Sequence, residues 1–280
     1  VRRAGALALL ALAGCAAPPP GGGGIVSLNP CADAMLVELV APERIAAISH
    51  YSRDSGASSI PPEVARRFRT TSGTAEEVIA LRPDLVVASS FTPPATRSAF
   101  ARAGIDTLYL DMPSTIAASR QQVLELAQAV GAPAAGAAMA ARIDALPPPP
   151  AGPPVPTLLW IGGNMVSGGG TLLDDMMARA GLGNAAADYG MRFTGELPIE
   201  RIVARPPRVM LVPDGPGQDA DSRAARLRAR ALEASRALEA SGAHVMQAAF
   251  PRRLINCGGP VIPQAMKRLA EVRRSVEAGS

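Results

Sequence analysis

From residue 25 onward, short apolar runs alternate with longer amphipathic or alanine-rich stretches, the pattern of strands exchanging with helices. Residues 25–28 form a strand ended by Asn29-Pro30, and 32–40 an apolar helix stopped by Ala41-Pro42. A second strand covers 45–48, a helix 74–81, and the unbroken Leu-Val-Val run in 84–88 predicts a strand buried on both faces. Helix 92–103 stops at Gly104, strand 106–110 follows, and helix 114–130 ends at Gly131-Ala132-Pro133. One more alanine-rich helix, 134–146, runs into 147–156, where seven of ten residues are proline. Beyond it the plan repeats: strand 157–161, helix 171–180, strand 208–212, charged helix 222–231, strand 243–247 and helix 263–276 with proline in its first turn.

Alternation of this kind predicts an α/β fold of parallel sheets covered by helices, here two lobes. Ligands of such folds sit beyond the carboxyl ends of the strands, so two facing lobes make a cleft. The boundaries fall at 1–15 (leader), 16–24 (Pro/Gly tether), 25–132 (first lobe), 133–156 (linking helix and proline-rich segment) and 157–280 (second lobe). An internal echo ties the lobes together. Residues 76–87 align with 200–211 at a constant offset of 124, each copy a short helix, a proline and a buried strand.

The leader has the layout of an export signal: Arg2-Arg3, an apolar run over 4–12, then Leu12-Ala13-Gly14-Cys15. The run is too short to cross a bilayer, which needs about 20 residues. Its close resembles a bacterial lipobox, with Cys15 the lipid-bearing residue; an ordinary leader cut near Ala16-Ala17 is the alternative. A periplasmic lipoprotein held to a membrane through Cys15 is the expectation. The net charge of +4 falls to +2 without Arg2 and Arg3, and no basic run interleaves with aromatics, which argues against nucleic-acid binding. Only one residue of the 28 Lys+Arg is lysine, Lys267.

Motifs of catalysis are scarce. The chain has no P-loop and no Gly-x-Ser-x-Gly elbow, and the glycine-rich stretch 162–170 lacks dinucleotide spacing and is expected to be a flexible cleft loop. With two histidines, His50 and His244, a multi-histidine metal site is hard to build, so no cofactor or metal is expected. His50 is left as the one base for an extracytoplasmic α/β hydrolase, the reading from another function class. Strand-end loops supply the candidate ligand residues: Asn29 and Cys31 after the first strand, then His50 and Tyr51, Phe91, Tyr189, Arg192, Phe193, and Phe250, Arg252 and Arg253 before the last helix. Paired arginines suit an anionic chelate, with a solvated surface as the bland alternative. Trp160 is expected in the core. For Cys31 and Cys257 three states are open, in this order: free thiols facing the cleft, a disulfide, and ligation of a metal or haem.

Taken together, Ser27-Leu28-Asn29-Pro30, Ile48-Ser49-His50-Tyr51-Ser52, the stretch 76–87 and Gly181-Leu182-Gly183-Asn184 resemble the iron-chelate/cobalamin class of ABC importer substrate-binding proteins, over residues 25 to about 272. The resemblance implies two α/β lobes joined by one long helix, matched here by 134–146. It implies a non-enzymatic monomer that captures a ferric chelate or corrinoid and passes it to an ABC permease and its ATPase. Haem delivery is the variant, with Tyr51 or His50 meeting the iron. It makes the Tyr51 loop a ligand wall, where the ring stacks on a flat ligand or else packs against its own lobe. It also casts Glu76 and Glu200 as permease-docking acids, one per lobe, against the bland reading of charges complementing helix dipoles.

Overall fold

A computed structural model of the chain describes residues 23–54, 56–162, 164–213 and 245–279. The leader, Cys15, residues 16–22 of the tether, the helix expected over 222–231 and His244 lie outside the described residues.

The first lobe is a five-stranded parallel sheet in the order β3-β2-β1-β4-β5. Its strands are β1 (Ile25–Ser27), β2 (Ile45–Ser49), β3 (Thr70–Thr71), β4 (Leu85–Ser89) and β5 (Thr107–Leu110). Val26, Val86, Val87 and Ala88 are fully buried, as expected of central strands covered by helices on both faces. The helices are α1 (Pro30–Leu39), the short α2 (Pro62–Ala65), α3 (Ala75–Leu81), α4 (Pro94–Arg102) and α5 (Ile116–Ala129). Asn29 caps α1 by accepting the Cys31 N–H at 2.9 Å, and Thr74 caps α3 by accepting the Glu77 N–H at 3.3 Å. The Glu77 carboxylate reaches past the cap to the Ser72 N–H, at 2.8 Å. The two bonds from Ser72 hold that carboxyl below the usual range.

The second lobe orders its strands β11-β10-β6-β7-β9, with β8 also on β6. They are β6 (Val155–Gly162), β7 (Met165–Val166), β8 (Leu182–Asn184), β9 (Gly195–Glu196), β10 (Val209–Val212) and β11 (Met246–Ala249). β8, β10 and β11 join in parallel, but β7 and β9 run antiparallel. The expectation of a wholly parallel sheet and of a free glycine-rich loop fails here. Val166 pairs back onto Trp160, so part of that loop is a strand. β6 begins inside the proline tract, because Pro156 precedes the stretch paired with β10 and leaves no ladder donor missing there. β11 pairs in register with β10 from Val209↔Met246, and residues 243 and 244 of the expected strand lie outside the described residues. The echo is exact in structure: α3 and α8 (Ile199–Ala204) start 124 residues apart, as do β4 and β10. Each of those strands lies beside the first strand of its lobe.

α6 (Pro133–Asp144) links the lobes, packed on α5. A continuous core of buried side chains runs across the junction, from Met35, Val123 and Met139 to Met176, Val261 and Leu269. Hydrogen bonds cross it as well, among them the Gly259 N–H to Ser119 Oγ (2.8 Å), the Ile116 N–H to Asp175 Oδ2 (2.7 Å), and Asn256 Nδ2 to the Gly56 carbonyl (3.2 Å). Gly258 must be glycine, since a Cβ there would lie 2.2 Å from Ser119 Oγ.

A covalent bond joins the lobes at the same place. Cys31 in the first turn of α1 and Cys257 ahead of α9 (Ile262–Ala278) form a disulfide, their Cα atoms 5.2 Å apart. Free thiols, the first of the three expectations, are therefore corrected, and ligation of a metal or haem by these sulfurs falls with them. The helix start and the opposing loop are brought within bonding range by the junction itself. The bond closes a loop of 226 residues, and native disulfides of this kind contribute about 2–5 kcal/mol. Denatured protein should alkylate at Cys31 and Cys257 only after reduction, read by peptide mass mapping. A Cys31→Ser, Cys257→Ser variant should lose about 2–5 kcal/mol in urea unfolding. Alkylation without reductant would show the bond absent.

Candidate functional site

The carboxyl ends of the strands in both lobes converge on one cleft of about 590 Å³, within the size range of small-molecule sites. Its floor is the junction: the disulfide, Met35, Gly258 and Gly259. One wall is made of loops after β1, β2, β4 and β5, which bring Asn29, Tyr51, Ser89 and Met112 to the cleft. The opposite wall is Ile161, Ser167, Thr171, Leu172, Thr194 and Asn256. A larger groove of about 1010 Å³ sits at the amino-terminal end of β6 beside Arg208 and Arg273. It is remote from the strand ends, and Arg273 is engaged there by the Pro153 and Gly181 carbonyls and by Glu277.

Four large apolar side chains of the described residues stand exposed, Tyr51 (53%), Phe91 (74%), Met112 (77%) and Phe193 (78%), and two of them, Tyr51 and Met112, line the cleft. Phe193 adjoins the lining residue Thr194 along the chain, and Phe91 follows the lining residue Ser89 by two positions. Each is held by its own backbone. The Tyr51 N–H donates to Ser49 Oγ (3.3 Å), in the 3-10 turn His50–Arg53 that follows β2. Around Phe91, the Arg97 guanidinium binds the carbonyls of Ser90 and Thr92 while lying 4.1 Å over the Tyr109 ring. Beside Met112, Gln122 donates to the Asp111 carbonyl at 2.6 Å. Phe193 is set by a close backbone approach, where a Cβ on Gly168 would lie 2.1 Å from the Phe193 carbonyl carbon. The rim is thus apolar in its side chains and fixed in its main chain.

The other sequence candidates spread out. Asn29 and Cys31 line the cleft while serving as a helix cap and half of the disulfide. His50 is exposed, its ring tilted on Tyr51 with centroids 4.0 Å apart, and its Nδ1 donates to the Thr71 carbonyl at 3.2 Å. Arg192 is exposed beside Phe193, and Arg253 donates to Gln264 Oε1 at 2.6 Å; neither they nor Arg252 line the cleft. Phe250 is corrected outright: it is completely buried in the core, because it follows β11 directly with its N–H on the Val212 carbonyl (2.7 Å) and its ring packs among the core side chains. Tyr189 is likewise buried, its hydroxyl given to the Arg205 carbonyl at 2.5 Å, and burial pushes its phenol upward. Trp160 is in the core, as expected. Met112, Thr194 and Asn256 were not singled out from the sequence; the strand ending at Leu110 was, and its following loop is where Met112 stands.

Beneath the Tyr51 turn lies a group the sequence did not flag. Asp33, in the first turn of α1, is fully buried and accepts from the Ser49 N–H (2.9 Å) and the Ser52 hydroxyl (2.6 Å), both on Oδ2. Its Oδ1 has no hydrogen-bond partner. Burial outweighs the help of the neighbouring serines and pushes its carboxyl up to about 7.

A family model described as periplasmic binding protein matches residues 25–240. No curated protein matches the chain. Among solved structures, it is similar to a periplasmic heme-binding protein from Roseiflexus sp. RS-1, with 24% identity, TM-score 0.68, and coverage of 92% of this chain and 99% of that one. It is also similar to a periplasmic heme-binding protein from Pseudomonas aeruginosa (21%, TM-score 0.65, 89% and 91% covered). A third is the periplasmic vitamin B12 binding protein of Vibrio cholerae (17%, TM-score 0.65, 92% and 98% covered). At these identities the likeness is one of fold.

Two substitutions separate rim from core. Tyr51→Ala should leave unfolding free energy within about 0.5 kcal/mol of the parent, whereas Phe250→Ala should cost about 3–5 kcal/mol. Urea titration followed by circular dichroism reads both. A large loss from Tyr51→Ala would place that ring in the core instead.

Proposed function

Since the chain belongs to the periplasmic binding protein family, we propose that it captures a metal chelate or corrinoid in the cleft between its lobes and delivers it to an ABC permease. The observation that supports this reading most is that Tyr51 and Met112, two large apolar side chains left in water, line one cavity, with the exposed Phe91 and Phe193 within two residues of its lining along the chain. Exposed apolar surface gathered in one place is a binding signature. Covering it gains about 25 cal/mol per Å² removed from water. Polar groups, Ser89, Ser167, Thr171, Thr194 and Asn256 with the acid Asp111, complete the walls and suit a ligand bearing amides or carbonyls. Since no arginine among the described residues lines the cleft, the lean toward anionic ferric chelates moves to Arg192, exposed two residues before the lining Thr194, which would meet peripheral carboxylates.

Haem is the second reading, favoured by the Tyr51–His50 pair. With Nδ1 donating to Thr71, His50 Nε2 is left as an acceptor, and the Tyr51 phenol beside it is exposed. The family and the structural neighbours are binding proteins of transport and not enzymes, so the hydrolase reading is not carried further.

Docking on the permease is assigned to Glu76 and Glu200. Both are exposed and open helices, α3 and α8, that run back from the carboxyl end of a sheet to feed the next parallel strand. Their carboxylates therefore stand on the cleft side of the molecule, one per lobe, where rim charges govern orientation and docking rate. The protein acts as a monomer, with the lipid on Cys15 holding it to the membrane.

Native mass spectrometry against haemin, cyanocobalamin and ferric hydroxamate and catecholate siderophores should give a one-to-one complex with one of these classes. Binding of none would overturn the cargo reading. A Glu76→Ala, Glu200→Ala double variant should bind the same cargo with unchanged affinity and fail to stimulate permease ATPase activity. Full stimulation would leave both residues as helix-end charges.

A further inference from the structure

Asp33, a buried carboxyl under the cleft wall, has no part in the reading above, yet the side-chain hydrogen bonds behind the Tyr51 turn lead to it. Asp33 Oδ2 receives the Ser49 N–H and the Ser52 hydroxyl, and Ser49 Oγ in turn receives the Tyr51 N–H. One oxygen atom therefore pins both ends of the 3-10 turn that presents Tyr51. The same residue sits two positions past Cys31, so the turn is pinned to the part of α1 that the disulfide makes immobile.

We infer that Asp33 is a positioning residue for the ligand wall: it fixes the Tyr51 turn to the cleft floor from beneath, firmly when protonated and loosely when ionised. The inference rests on the cleft being the binding site. Its physical basis is the surroundings of the carboxyl. Ser27 from β1, Ser49 from β2 and Ser52 from the turn face it, and all are neutral. The ionisable groups on elements packed around it are exposed to water: His50, Arg53 and Asp54 at the turn, Glu38 on α1 with its partner Arg142 on α6, and Glu125 on α5. No charge compensates a carboxylate there, and Oδ1 would keep its lone pairs unsatisfied. With a proton on Oδ1 the charge is gone, and Oδ2 still accepts both bonds. Above neutrality the ionised group gains by hydration, and hydration requires the turn to lift.

The sign follows from linkage. A carboxyl whose folded-state affinity for protons exceeds the unfolded one contributes stability that is fully present below about 3.8 and lost as pH rises through about 7. The turn is the element free to respond, being the exposed cover over the group.

Hydrogen–deuterium exchange on the full chain from pH 5.5 to 8.5, corrected for intrinsic exchange, tests this directly. Protection of residues 49–53 should fall at least tenfold between pH 6 and 8, while α4 holds steady as control. Asp33→Asn keeps the acceptor and cannot ionise, so its protection should stay flat at the low-pH level; Asp33→Ala should be unprotected throughout. Haemin and cyanocobalamin serve as probes of the cleft: affinity of whichever binds should decline over the same pH range in the parent and not in Asp33→Asn. A flat parent profile, or an Asp33→Asn profile that falls like the parent's and so reports His50, would overturn the inference. If neither probe binds, the cargo reading is the one that fails, and the exchange profile still decides the role of Asp33.

Discussion

The junction between the lobes is the constraint on which the rest of this molecule depends. Cys31 and Cys257 are joined where the start of α1 meets the loop before α9, and the contacts around them allow no slack: Gly258 against Ser119, Asp175 on the Ile116 N–H, and a shared apolar core. A cleft between two lobes is usually made by a hinge. Here the floor is tied by a disulfide, hydrogen bonds and a shared core, so the walls rise from a base that is already ordered before a ligand arrives. A disulfide across the mouth would hold such a cleft shut. This one lies at the floor and not at the mouth, and the cavity above it remains open.

From that floor the walls rise with their main chain tied down and their side chains bare. Ser49, Arg97, Gln122 and Gly168 each fix a backbone segment, and on those segments stand Tyr51, Phe91, Met112 and Phe193. Rigid backbone with exposed apolar rings is costly to keep in water and useful against a large flat ligand, because little conformational entropy is left to lose when the ligand arrives. The arrangement places function in loops and stability in the sheets beneath them.

The parts of the fold that were legible in the sequence are those that depend on local pattern. The Leu-Val-Val run of β4, the stop at Gly104 with its positive φ of 69°, and the echo at 124 residues are all where the apolar periodicity put them. The Tyr51 and Phe193 loops could be named because they follow predicted elements. What was not legible depends on contacts far apart along the chain. No local signal says that Cys31 meets Cys257, that Phe250 is buried in the core, or that Val166 folds back on Trp160. Asp33 was hidden for a similar reason: an aspartate in a first helical turn reads as a charge favouring the helix dipole, and its burial comes from β2 and the turn after it.

The central claim is that one cargo covers all four rim side chains at once. Hydroxyl-radical footprinting with mass spectrometry, on free protein and on a stoichiometric complex with the cargo that binds, measures that claim residue by residue. The account predicts that Tyr51, Phe91, Met112 and Phe193 lose reactivity together while exposed residues away from the cleft are unchanged. A complex in which these four remain as reactive as in the free protein would contradict it.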